Sequence, residues 1–139
     1  MIIHFTLVVL SFVGMLISVY FTLVIYHIMK PDARIVPLIC RMEEGACFAI
    51  IDTRDARVFG VPNAFLGILY YLSVIVFVTM FQSDSESILY QVVVSISAGT
   101  VILGAYLTYA LLLKLRTPCP LCFIGHGINL GIFLLLLTY

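Results

Sequence analysis

Four long apolar runs separated by polar stretches set the pattern of this chain. The first, Ile2 to Met29, has length enough to cross a bilayer with tilt, and Lys30 and Pro31 end it. The second, Val61 to Phe81, is entered through Gly60 and Pro62, a helix-start pattern. The third spans Ile88 to Leu113, where Gly99 and Gly104 offer close helix contact. After the tight turn Lys114 to Thr117, Pro118 opens a fourth run reaching Thr138, with Gly125, Gly127 and Gly131 as packing sites. A membrane-spanning helix needs roughly 20 apolar residues, so the pattern predicts an all-α bundle of four transmembrane helices. Residues 1–139 read as one domain, with a polar cap loop over residues 30–60 between the first two spans.

Composition removes the soluble alternative. Hydrophobic residues make up 63% of the chain and charged residues 10%, and a soluble fold would leave whole apolar faces in water. The first run is too long for a cleaved signal peptide, has no Lys or Arg before it, and lacks a small-residue cleavage site. Net charge is zero, so nothing points to nucleic acid as a partner. No GxGxxG, P-loop or HExxH pattern occurs. Residues 30–60 hold five of the seven basic residues, five of the seven acidic ones, and Cys40 and Cys47. Within them Asp52 to Asp55 reads as a turn or short surface helix. Four crossings put both termini on one side, so the cap and the Lys114–Thr117 turn share the other. All four cysteines meet there.

Cys119-Pro-Leu-Cys122 at a helix start is the redox form of CxxC. Thr117 suits the N-cap and Pro118 the first helical position. The helix dipole and unpaired N–H groups there favour thiolate, the species that attacks disulfides. Cys40 and Cys47, with six residues between them, can close a small disulfide loop. A flexible pair beside a rigid pair suggests a relay: the loop collects electrons and the helix passes them on. Two other readings stand beside it. Four cysteines could form a zinc site, although the second pair is spaced too widely for the usual ligand pattern, and no metal is expected. They could also form inert structural disulfides, against which the prolines around the helix-start CxxC argue.

The face of the fourth helix that carries Cys122 also carries His126 and Asn129. Polar groups inside a span usually face the bundle interior. Asn63, at the mouth of the second helix, either donates its amide N–H to an acceptor's carbonyl or caps the helix. Phe65, Tyr70, Tyr106 and Tyr109 supply aromatic walls or pack between helices. His126 and Asn129 serve an acceptor or bond between helices.

In order and spacing these features resemble the vitamin K epoxide reductase family. The carriers are Cys40 and Cys47, the Gly60-Val-Pro-Asn63 lead-in followed by Leu66-Gly67 and Tyr70-Tyr71, and Cys119-Pro-Leu-Cys122. The resemblance covers essentially the whole chain. It implies a four-helix enzyme in which Cys122 contacts a lipid quinone of ubiquinone or menaquinone type. It further implies that Cys119 exchanges with Cys47 and that Cys40 takes electrons from outside. Asn63, four residues before Gly67, matches the quinone-binding asparagine, with Leu66 and Tyr70 beside it. Thr53, six residues past Cys47, falls where relatives hold the loop with Ser or Thr. His126 stands where animal relatives carry a tyrosine near the quinone. Many bacterial relatives continue into a thioredoxin-like domain; here a separate thioredoxin-fold protein is expected as the thiol partner. The unrelated bacterial disulfide-forming quinone reductase places its CxxC in the first loop, the reverse order. A true epoxide reductase would share the site and use partner thiols to reduce vitamin K epoxide.

Orientation brings a conflict. A multi-pass protein of the cell membrane that makes disulfides would turn its cysteines outward, as the family does. Yet all seven Lys and Arg lie on the cysteine side, where the positive-inside rule places cytoplasm. The family grounds favour the outward face; the alternative is an inverted member making cytosolic disulfides.

Overall fold

The computed structural model describes residues 1–28, 53–81, 87–116 and 119–139. Cys40 and Cys47 fall outside the described residues, as do Thr117 and Pro118. Helix α1 is Ile2–Ile25, α2 Asn63–Met80, α3 Ile88–Tyr109 and α4 Pro120–Leu137. All four are long and apolar enough to cross a membrane, α3 counting its continuation to Lys114. Their outward faces are apolar: Phe12, Leu16, Leu72, Ile102 and Leu134 are all exposed. In water such faces would be unstable; in lipid they are solvated.

The inside combines large apolar side chains with small and polar ones. Along α1, Leu7, Ser11, Gly14 and Ser18 are buried at spacings of four, three and four, which puts them on one face. Gly14 is required by its neighbour, because a Cβ there would collide with the hydroxyl edge of the Tyr71 ring from α2. The Tyr71 hydroxyl in turn donates to Asn129 Oδ1 of α4 at 2.6 Å. Tyr70 and Ser97 share a hydrogen bond of 2.7 Å between α2 and α3, and Tyr90 donates to the Leu136 carbonyl at 2.8 Å between α3 and α4. Lipid supplies no hydrophobic drive between helices, so close packing and such bonds carry the association. Leu7, Val74, Ile132 and Leu136 complete the buried centre.

Helix α1 lies between α2 and α4, and α3 packs chiefly on α4. Contact between α2 and α3 is the sparsest of the adjacent pairs, and there a cavity opens. Gly99, expected as a helix contact, lines that cavity instead, and a Cβ there would meet nothing within 4 Å. Gly125 and Gly127 likewise have open space, whereas Gly104 makes a close approach to α4.

Above the cavity a short 3₁₀ turn, Arg54–Ala56, leads into a hairpin of β1, Arg57–Val58, and β2, Val61–Pro62. Its two central residues, Phe59 and Gly60, have φ of 53° and 83°, which a tight turn of the primed kind demands. The hairpin takes up Val61 and Pro62, so α2 begins at Asn63. At its far end α3 widens into a π turn, Ala110–Lys114, where the Leu115 N–H reaches the Ala110 carbonyl at 2.8 Å. The fourth helix opens two residues later than the Pro118 pattern suggests. Pro120 takes the first helical position, and Cys119, rather than Thr117, is the N-cap.

Candidate active site

The N-cap geometry brings the CxxC sulfurs into the helix's own hydrogen bonding. Cys119 Sγ accepts the Cys122 N–H at 3.4 Å. The Cys119 side chain is fully buried, packed with Leu121 against Ile17, Tyr20 and Phe21 of α1. Its thiol is held below the ordinary cysteine range, chiefly by a hydrogen bond with the Cys122 side chain. The backbone N–H groups of Cys122 and Leu121 add to this, while burial works the other way. A sulfur so placed is prepared to carry negative charge.

Cys122, one turn in, lines a cavity of about 510 Å³. The walls are mostly apolar, from Ile17 and Phe21 of α1, Leu66 and Leu69 of α2, and Leu103 and Leu107 of α3. Polar groups converge on it from Asn63, Tyr70, His126 and Asn129. His126 fits against α3 because residue 104 is glycine; a Cβ there would stand 3.0 Å from Nδ1. The Tyr70 hydroxyl is taken up by Ser97, and Asn129 by Tyr71. Thr53, at the start of the 3₁₀ turn, sits at the cavity rim.

Asn63 does not cap α2: it is the first helical residue, and the cap position is Pro62. Its Nδ2 donates to the Asp55 carbonyl at 3.0 Å, so one amide hydrogen is already engaged. Its Oδ1 is buried and finds no hydrogen-bond partner among the described residues. The unmet atom is thus an acceptor, and Nδ2 keeps a second hydrogen for donation. Phe65, Tyr106 and Tyr109 are exposed and are not among the residues around the cavity.

Asp55 and Tyr71 line the cavity too; the sequence marks Asp55 only as part of a turn and Tyr71 only as part of the family pattern, neither as a site residue. Asp55 receives Lys114 Nζ on Oδ2 at 2.8 Å and the Tyr106 hydroxyl on Oδ1 at 3.1 Å. The Lys114 hydrogen bond, foremost, holds its carboxyl below the usual carboxylate range. A contact across 59 residues leaves no trace in local spacing.

Fold and site together define a membrane-embedded bundle whose CxxC pair stands at an internal cavity. The model of the vitamin K epoxide reductase family matches residues 5–137 of this 139-residue chain, and the chain belongs to that family. Membership makes it a membrane oxidoreductase of the thiol–disulfide and quinone class. No curated protein matches it.

Proposed function

We propose that this protein oxidises the cysteines of a thioredoxin-fold partner and passes the electrons to a lipid quinone, so driving disulfide formation. The observation that carries this reading is the meeting of Cys122, Asn63 and His126 on one apolar cavity, with Cys119 buried beside it. Its volume and apolar walls suit a quinone ring, since ligand sites pair apolar linings with a few placed polar groups. Asn63 and His126 are the residues that would orient the ring.

The relay runs in balanced steps. A partner thiolate attacks Cys40 of the Cys40–Cys47 disulfide, and Cys47 departs as a thiolate. Cys47 attacks Cys119; the Cys119–Cys122 bond breaks and its electron pair stays on Cys122. The partner's second cysteine frees Cys40, which closes on Cys47 and releases Cys119. Oxidation of the Cys119–Cys122 dithiol back to its disulfide then yields the two electrons and two protons that quinol carries.

The test is quinone reduction by the purified protein in detergent, with a reduced thioredoxin-fold donor, wild type beside Cys122→Ala. Turnover in wild type and none in the variant is expected. Measurable turnover by Cys122→Ala would sink the terminal role of this cysteine. No turnover by folded wild type, across several quinones and donors, would sink the reading itself.

A further inference from the structure

We propose that Asp55 is a positioning residue for the acceptor site, fixed from α3 by Lys114 and Tyr106 and holding the Asn63 carboxamide in one orientation at the cavity. The proposal rests on the quinone reading above and deepens it.

Asp55 ties its own turn to α2 and α3 through three hydrogen bonds. Both carboxylate oxygens are engaged from α3 and its π turn, Oδ1 by Tyr106 and Oδ2 by Lys114. Its backbone carbonyl accepts Asn63 Nδ2 from the start of α2. With the nitrogen end of the carboxamide tied back, the oxygen end is the one left without a partner. A buried acceptor is costly unless a donor reaches it. A quinol hydroxyl is such a donor, and Nδ2 keeps a second hydrogen that a quinone carbonyl can accept. By holding the carboxamide in one orientation, Asp55 keeps both atoms placed for the acceptor.

The helix is shaped to make this grip. Tyr106 and Lys114 are eight residues apart, which on an α-helix of 3.6 residues per turn leaves them about 80° out of line. The π turn at Ala110–Lys114 absorbs the excess residue and brings Lys114 to the side of Tyr106. Wide turns of this kind frequently mark functional positions. Lys114 is 58% exposed and Asp55 16%, so salt reaches the pair from the lysine side.

The experiment measures KM for quinone and for the thiol donor separately, in wild type, Asp55→Asn and Lys114→Gln. Each variant is expected to raise the quinone KM about fivefold, the worth of one ordinary hydrogen bond, with the donor KM unchanged. The double variant should be no worse than Asp55→Asn alone, since the two residues act as a unit. Raising salt should increase the wild-type quinone KM and leave that of Asp55→Asn flat. A merely structural loss would move kcat and both KM values together, and that result overturns the proposal. So does an unchanged quinone KM in a wild-type background that turns over. Lys114→Gln alters an exposed side chain and keeps the test open if Asp55→Asn fails to fold. Absence of quinone turnover in wild type removes the underlying reading and the proposal with it.

Discussion

Cys119 combines full burial with a thiol easier to ionise than a free cysteine, two properties that ordinarily oppose each other. The resolution lies in its position: as the N-cap of α4 it meets the Cys122 N–H, and the Cys122 side chain bonds it as well. Because its folded value is lowered, the thiolate is present from below the ordinary range of about 8.5 upward and is lost only as pH falls through the lowered value. In a protein carrying Cys40→Ala and Cys47→Ala, the pH midpoint of Cys119 alkylation, read by peptide mass spectrometry, should therefore lie below that of a free thiol. Adding Cys122→Ala removes the largest cause and should move the midpoint upward. A midpoint at or above the free value before that change would refute the assignment. The CxxC pair was legible in the sequence because its chemistry is local: two thiols, a proline and a helix start within four residues. Asp55 was not. It resembled an ordinary turn residue, and its partners Tyr106 and Lys114 come to it only through the folded bundle.

At the level of elements, the seam joining α1, α2 and α4 depends on one glycine and one hydroxyl. Tyr71→Phe leaves Asn129 Oδ1 without its donor, and should cost about 1 kcal/mol, the scale of a hydrogen bond between membrane helices. Gly14→Ala forces the Tyr71 ring to move and should cost more, about 1–3 kcal/mol for overpacking. Unfolding in detergent by graded denaturant would rank the two, and an inverted order would mean the ring finds room elsewhere. The spans were readable because an apolar run of this length has few other fates. The short elements were not. The hairpin has strands of two residues each, and the π turn is a single turn with no composition of its own. The start of α4 departs from the sequence pattern for a definite reason: Pro118 and Pro120 both suit a first helical position, and Cys119 between them takes the cap.

For the whole molecule, the parity of four crossings brings the termini together, and the His4 and Tyr139 rings do stand 4.7 Å apart. The described basic residues, Arg54, Arg57, Lys114 and Arg116, all belong to segments at the cavity end of the bundle, opposite the termini. Insertion bias would turn that end to the cytoplasm, while disulfide formation needs an oxidising compartment. We favour the outward cysteine face. An alkaline-phosphatase-type reporter, active only outside the membrane, should then be silent when fused after Tyr139. Strong reporter activity would mean an inverted protein that makes disulfides in the cytosol.

The π turn has a consequence for reading chains related to this one. It amounts to one residue more than an α-helix of the same rise would need. Deleting a residue between Ala110 and Lys114 would keep the span, its apolar character and every chemically notable residue in the sequence. It would also swing Lys114 by about 100° and take it away from Asp55. Two chains with the same residues could therefore differ in whether the cap is gripped from α3. In an alignment the difference would show as a single gap inside a transmembrane helix, where a gap is usually dismissed as misplacement.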